Sequence, residues 1–247
     1  MSRIVRLDKA ITLKFEDRKI NLPNELKENI SKFWKETVKE NPNLYNGQEY
    51  VIEKIMETEN TIEMLAVKSD YSHYLYDERV GIQQEKYRCC SPWGGILLLT
   101  KDNYFVVGEM DSTTSIPYGL QISGGGIDVA DIDENGVINI ESNIKRELKE
   151  ELNLNLKDID YKIEFIEYPN ETRNAYGFIA IGKINQTKDK LNREFEEYKE
   201  YLLKNNLEVE FNKLIFLKRE NALKELDNLH NYKRPYLREL IKEAINY

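Results

Sequence analysis

Cysteine, histidine and long apolar runs are scarce in this chain, and each scarcity excludes a class of protein. The two cysteines, Cys89 and Cys90, are adjacent, so a disulfide between them is geometrically unfavourable and both are expected to be reduced. The two histidines, His73 and His230, lie far apart and form no zinc-binding pattern. No apolar run is long enough to span a bilayer, and the N-terminal segment alternates with charges, so we expect a cytoplasmic protein without a membrane partner.

An excess of positive charge is also missing. The 36 Lys and Arg residues are outnumbered by 44 Asp and Glu residues, which gives a net charge of −8 and argues against a nucleic-acid partner. A small phosphorylated ligand remains compatible, because a bound metal ion supplies positive charge locally. The 40% hydrophobic share is sufficient for the core of one large or two modest domains.

The stretch from Ser123 to Leu154 has the layout of a phosphate site. An apolar segment ends at Ile122, Gly124, Gly125 and Gly126 follow, and a helical pattern comes after an acidic segment. Consecutive glycines predict a loop that turns sharply and lets the backbone approach a ligand closely.

The helix of this stretch has predictable boundaries and a predictable buried side. Ile144, Leu148 and Leu152 recur every fourth residue, which predicts an apolar stripe. Asn139 is expected to be the N-cap, and Asn153 is expected to end the helix in the left-handed conformation.

Three carboxylates of the same helix are predicted to form a metal site. Glu147, Glu150 and Glu151 are three and four positions apart, so their side chains can converge. Converging carboxylates repel one another unless a cation lies between them, and oxygen ligands favour Mg²⁺ or Mn²⁺. The alternative is a solvated face of an ordinary helix, because the chain is rich in Lys and Glu. The preceding glycines favour the metal site.

Together these residues resemble the Nudix box, G-x5-E-x7-R-E-U-x-E-E-x-G-U, in which U is aliphatic. The residues that match its second half are Arg146, Glu147, Leu148, Glu150, Glu151 and Leu154. Asn153 stands where the family has glycine. The segment from Gly124 to Asp128 resembles the opening GGxxE, with Asp128 in place of glutamate.

The resemblance implies a fold, an activity and a set of site residues. The implied fold is the α/β/α sandwich of Nudix proteins, and the implied activity is metal-dependent hydrolysis of a diphosphate linkage in a nucleoside diphosphate derivative. The implied metal ligands are Glu147, Glu150 and Glu151, Arg146 orients one of them, and the glycines belong to the substrate site.

An insertion breaks the spacing of the box. The segment VADIDENGVINI follows Asp128, so Ile138 stands where the central glutamate is expected when counted back from Arg146. The acidic residues that could replace it are Asp131, Asp133, Glu134 and Glu141. The lost glutamate motivates an alternative from another class, in which the chain is a non-catalytic sensor of a nucleotide or sugar nucleotide.

A general base is required for hydrolysis but does not have to lie in the box helix. The candidates are Glu171, in the loop PNETRN, and Glu208 and Glu210, which precede the last strand. Arg173 of the same loop either contacts a phosphate or forms a surface salt bridge, and we favour the salt bridge.

We divide the chain into a small α+β N-terminal domain, residues 1–88, and a Nudix hydrolase domain, residues 89–247. In the first, the patterns predict a strand or hairpin from Arg3 to Phe15, a helix from Asn24 to Glu40, and paired strands at Tyr50 to Glu57 and Thr61 to Val67. In the second, strands alternate with helices around the box helix, which fits a three-layer α/β/α arrangement.

The N-terminal segments NPNLYNG and SDYSHY resemble the region beside the Nudix domain in a branch that hydrolyses UDP-sugars. This resemblance implies a UDP-sugar as preferred substrate, while other nucleotide polyphosphates remain an alternative. Tyr71 and Tyr74 either stack on a base or belong to the core. The charged helix from Lys188 to Lys204 is either a solvated surface or the interface of a homodimer.

Overall fold

The structure, a computed structural model, describes residues 3–42, 44–114, 116–170 and 173–246. The strands are β1 (Arg3–Arg6), β2 (Ala10–Lys19), β3 (Gln48–Glu57), β4 (Thr61–Asp70), β5 (Ser91–Leu99), β6 (Tyr104–Met110), β7 (Leu120–Gln121), β8 (Ser123–Gly126), β9 (Asp160–Tyr168), β10 (Ala175–Lys183) and β11 (Phe211–Lys218). The helices are α1 (Asn24–Glu40), α2 (Tyr71–Arg79), α3 (Ile140–Leu152), α4 (Lys188–Lys204), α5 (Ala222–Asn228) and α6 (Leu237–Ile245).

A mixed sheet forms the middle layer of the molecule. Within the described ranges its path runs β1-β9-β10-β5-β6-β11, with β7 paired to β6 and β8 paired to β5. Successive side chains of β5 point to opposite faces. Leu97 and Leu99 pack with α5 and α6, whereas Ile96 and Leu98 pack with α3 and α4. The predicted α/β/α sandwich is therefore confirmed.

A smaller sheet, in the order β2-β4-β3, lies beside the sandwich. One face packs on the large sheet, where Leu13 and Met64 share an apolar cluster with Ile166 and Phe178. The other face is covered by α1 and α2 through a second apolar cluster. The helix predicted from Asn24 to Glu40 and the pairing of β3 with β4 are confirmed.

The segment from Arg3 to Phe15 is not a hairpin, so that alternative was wrong. β1 pairs antiparallel with β9 of the large sheet, whereas β2 pairs parallel with β4 of the small sheet. Alternating apolar residues indicate extended backbone, but the choice of partner depends on strands that lie far away in the sequence. The boundary between residues 88 and 89 stays a prediction, and β1 is a strand that pairs across it.

The structure shows the environment of the two cysteines and the character of the helices. Cys89 is buried, Cys90 is partly buried, and both are free thiols. Among the described residues, no helix has the length and apolar composition that crossing a bilayer requires.

Candidate metal and substrate site

The box helix, α3, has the boundaries that the sequence predicts. The side chain of Asn139 accepts a hydrogen bond of 3.0 Å from the Ser142 N–H, and Asn153 ends the helix at a φ of 54°. Ile144 and Leu148 are completely buried between the sheet and α4. The opposite side of the helix is therefore free to present its carboxylates to the glycines of β8.

Three carboxylates meet at the C-terminal half of this helix, and we call them the acidic group. Glu147, Glu151 and Glu210 each offer an oxygen, and these oxygens lie within 4.8 Å of one another. Glu210 comes from the segment before β11, where its carbonyl oxygen accepts a 2.7 Å hydrogen bond from the Asp111 N–H. The structure thus brings one predicted base candidate beside two predicted metal ligands.

Burial makes the ionised acidic group costly without a counterion. Desolvation raises the pKa of Glu147 to about 7, although the charge of Arg146 opposes the shift. Desolvation also raises the pKa of Glu151 well above its ordinary value, and the charges of Glu210 and Glu147 add to it. The pKa of Glu210 is raised by burial and then by the charge of Glu208. A bound cation would remove this repulsion.

The glycines form a strand rather than the predicted loop. β8 pairs antiparallel with β5, and it supplies backbone groups to the acidic group from within the sheet. Gly124 has a φ of 146°, and its N–H donates to Glu151 Oε2 at 3.0 Å. A Cβ on Gly125 would lie 2.5 Å from Glu147 Oε1. A side chain is therefore excluded at Gly125 by the carboxylate of the box helix and at Gly124 by its φ and by the backbone of Gly94 and Gly95, whereas a Cβ on Gly126 would meet nothing.

The acidic group fits a divalent cation. Glu151 is only 4% exposed, and among the described residues its Oε1 has no hydrogen-bond partner, whereas its Oε2 accepts from the Gly124 N–H. A buried carboxylate oxygen without a donor is costly unless it is paired or coordinates a metal. All the donors offered are carboxylate oxygens, which match the preference of Mg²⁺ and Mn²⁺.

Asp131 is the acidic residue of the insertion that the structure places against Arg146. Its Oδ2 lies 3.0 Å from Arg146 Nη2 and also accepts hydrogen bonds from the Asp128 N–H and the Asn143 side chain. Arg146 Nη1 in turn lies 2.8 Å from Glu147 Oε1. The guanidinium therefore links a buried aspartate to a member of the acidic group and fixes the direction of the Glu147 side chain.

The other acidic residues of the insertion have different partners. Asp133 accepts hydrogen bonds from the N–H groups of Asn135 and Val137 within a turn. Glu141 accepts a hydrogen bond from the Tyr161 hydroxyl. Ile138, at the counted position of the central glutamate, is buried in the apolar cluster beneath the small sheet.

The remaining predicted site residues are not part of the acidic group. The Glu150 side chain is 60% exposed and pairs with Arg146 at 3.2 Å, and its oxygens are not among those that meet in the acidic group. Glu208 is exposed beside Glu210. The third base candidate, Glu171, lies outside the described residues.

The insertion connects the box to the small sheet. The Ile138 N–H donates to the Leu13 carbonyl oxygen at 2.8 Å, and the Phe15 N–H donates to the Gly136 carbonyl oxygen at 2.7 Å. Ile127 and Ile138 contribute to the apolar cluster below β2. The extra residues therefore form an additional edge contact of the small sheet and place Asp131 beside α3.

A cavity of about 1100 Å³ opens next to the acidic group, between the large sheet and helices α1 and α2. On the helix side, its wall includes Glu40, Glu49, Tyr71, Tyr74, Glu78 and Arg79. On the sheet side, its wall includes Trp93, Gln121, Gly124, Gly125, Gly126, Arg173, Glu210, Arg234 and Tyr236. The rings of Tyr71 and Tyr74 stack with centroids 5.9 Å apart. The cavity is large enough for a drug-sized ligand or a nucleotide derivative.

No protein-family model matches this sequence, and no curated protein matches it. Among solved structures, the chain is similar in fold to a NUDIX hydrolase from Alicyclobacillus acidocaldarius, at 8% identity and a TM-score of 0.45, over 64% of this chain and 92% of that one. It is also similar to an Ap4A hydrolase from C. elegans, at 13% identity and a TM-score of 0.39, over 62% and 94% of the two chains. A third is the MutT protein from Methanosarcina mazei, at 11% identity and a TM-score of 0.40, over 63% and 92%.

Arg173 does not form the predicted surface salt bridge. Its side chain is 12% exposed, and its Nε lies 3.1 Å from Oε2 of the completely buried Glu167. The guanidinium lies 5.1 Å from the ring centroids of both Trp93 and Tyr236, which are 4.9 Å from each other. The pair therefore stiffens the cavity wall.

We expect Arg173→Leu to destabilise the fold by about 3–5 kcal/mol, because it removes a charged partner from the buried Glu167 carboxylate, which also accepts a hydrogen bond from Trp93 Nε1. Urea unfolding measures this loss. Arg238→Leu is the matched control, since Arg238 pairs with Asp227 on the surface and its loss should leave the free energy of unfolding close to that of the wild type. Equal losses in both variants would contradict the buried-pair interpretation.

The pKa of Glu147 predicts a pH-dependent stability of the metal-free protein. In the folded chain the pKa of Glu147 is about 7, whereas the ordinary pKa of a glutamate is 4.5. The contribution of Glu147 to the free energy of unfolding is therefore fully present below pH 4.5, the pKa in the unfolded chain. It is lost as the pH rises through about 7, the pKa in the folded chain. In EDTA, Glu147→Gln should melt above the wild type at about pH 8, with a smaller difference near about pH 5. A difference that does not change with pH would refute this.

Proposed function

We propose that the chain is a Nudix-type hydrolase that cleaves the diphosphate linkage of a nucleoside diphosphate derivative with the help of Mg²⁺ or Mn²⁺. The observation that carries the proposal is the buried acidic group, with the Gly124 amide beside it, at the edge of a cavity of about 1100 Å³. We expect the protein to act in the cytoplasm on a small molecule.

In this proposal Glu147, Glu151 and Glu210 would hold the ion. When bound, a divalent ion neutralises diphosphate oxygens and lowers the pKa of a coordinated water. Arg146, held by Asp131, orients the Glu147 carboxylate toward Glu151 and Glu210. The contact of Asp131 with Arg146 supplies a carboxylate in place of the glutamate that the broken box spacing lacks. It therefore favours an enzyme over a sensor.

Glu210 is the member of the acidic group that also lines the cavity. We therefore assign it the role of general base, which accepts the proton of the attacking water. The water oxygen forms a bond to one phosphorus, and the bond from that phosphorus to the bridging oxygen breaks. The bridging oxygen leaves on the other phosphate, and the proton passes through Glu210 to solvent. The products are two phosphate monoesters.

A UDP-sugar is the preferred substrate within this class. Tyr71 and Tyr74 offer ring faces on which a base can stack. Glu49 and Glu78 on the same wall can accept hydrogen bonds from sugar hydroxyls. Both features support a ligand with a planar ring and a polyhydroxylated group, in agreement with the resemblance of the N-terminal segments.

The test is product release from a panel of UDP-sugars, ADP-ribose, nucleoside triphosphates and dinucleotide polyphosphates, each with Mg²⁺, Mn²⁺ or EDTA. Metal-dependent release of UMP from a UDP-sugar is the expected result. Cleavage of other panel members alone would keep the hydrolase and remove the UDP-sugar. Ligand-induced stabilisation without any cleavage would instead support a sensor of nucleotides.

A further inference from the structure

Arg234 is held rigidly beside the glycine strand by a segment that extends the sheet. The Leu120 N–H donates to the Tyr232 carbonyl oxygen at 2.8 Å, and the Arg234 N–H donates to the Leu120 carbonyl oxygen at 3.0 Å. Leu120 belongs to β7, and β8 begins at Ser123. The backbone of Arg234 is therefore fixed relative to the glycines that contact the acidic group.

The guanidinium of Arg234 is short of partners. Its Nε donates to Gln121 Oε1 at 3.3 Å, and Gln121 is itself 7% exposed. Among the described residues, no carboxylate oxygen lies within 4 Å of it, whereas Arg173 in the same wall is paired with Glu167. An arginine has five N–H donors, so most of those on Arg234 remain available to a ligand in the cavity.

Arg234 lines the same cavity as Glu210 of the acidic group and Tyr74 of α2. Its positive charge lowers the pKa of both groups, against the larger effect of their burial, so the guanidinium is within electrostatic reach of both. A ligand that contacts the acidic group and the tyrosine rings would share this cavity with the guanidinium.

We propose that Arg234 binds the diphosphate of the substrate, gripping the phosphate that is not attacked and thereby setting which phosphorus lies at the acidic group. This inference rests on the proposed hydrolase function. A planar guanidinium can donate two parallel hydrogen bonds to phosphate oxygens, and Gln121 orients the plane by holding Nε. Arg234 is thus a substrate-specificity residue for diphosphates.

The experiment compares wild type, Arg234→Gln, Arg234→Lys and the surface control Arg238→Gln. We expect Arg234→Gln to raise KM for the cleaved substrate about 10- to 100-fold. Arg234→Lys should recover only part of this loss, because it keeps the charge and loses the fork. Arg238→Gln should behave as wild type, since Arg238 pairs with Asp227 outside the cavity.

A binding measurement separates recognition of the diphosphate from general damage. In EDTA, calorimetry with UDP, inorganic diphosphate and uridine should show that Arg234→Gln weakens the first two about tenfold or more and leaves uridine unchanged. Equal weakening of all three, or wild-type KM and UDP affinity in a folded Arg234→Gln, would overturn the inference. If wild type cleaves no panel member, the proposed function fails instead, and UDP affinity in EDTA still decides the role of Arg234.

Discussion

Glu151→Gln is expected to lower turnover by about a hundredfold or more while the protein stays folded. Glutamine has the shape of glutamate and can still accept the hydrogen bond from the Gly124 N–H. It removes a buried negative charge whose burial is unfavourable without a cation, so the metal-free variant should melt at the wild-type temperature or above it. Metal-dependent turnover and melting curves in EDTA measure both effects.

Glu141→Gln is the control for this variant, because Glu141 is an exposed carboxylate of the same helix, hydrogen-bonded to Tyr161 and outside the acidic group. Its turnover should remain close to that of the wild type. If Glu151→Gln retained wild-type turnover, the acidic group could not be the catalytic metal site.

Glu210→Gln should also lower turnover by about a hundredfold or more, because both a ligand of the ion and the acceptor of the water proton are lost. Glu208→Gln is a close control: it lies two residues away, is exposed at the same cavity and is not part of the acidic group. Its turnover should fall less than about tenfold. The pair is compared under saturating substrate and metal.

The two variants also test which carboxylate accepts the proton. The activity of the wild type should fall at low pH as the carboxylates of the acidic group become protonated. This acidic limb should shift to lower pH in Glu210→Gln, because the pKa of Glu147 and that of Glu151 are raised by burial and further by the charge of Glu210. A larger loss in Glu208→Gln than in Glu210→Gln would assign the base to Glu208 instead.

The sequence predicts most of what is local in this site. The positions of Ile144, Leu148, Asn139 and Asn153 determine the stripe and both ends of the box helix, because these depend on spacing and capping within one turn or two. The same spacing predicts that Glu147 and Glu151 lie on one side of it. These predictions involve no partner more than a few residues away.

The parts that the sequence does not predict depend on distant partners. Glycines favour both tight turns and close approach, and only the pairing of β8 with β5 selects the second. Asp131 differs from the three other acidic candidates because the folded insertion places it against Arg146, which no local spacing predicts. Glu210 joins the acidic group from a segment about sixty residues further along the chain, and no local spacing relates it to the helix.

The contact of the insertion with β2 means that this strand helps to position Arg146. Residues 136–138 are hydrogen-bonded to Leu13 and Phe15, and the same insertion carries Asp131. A fragment that begins at residue 89 would lose this support, together with the strand that covers the edge of β9. The box helix therefore does not act independently of the small sheet, because the orientation of Arg146 depends on an insertion that is hydrogen-bonded to β2.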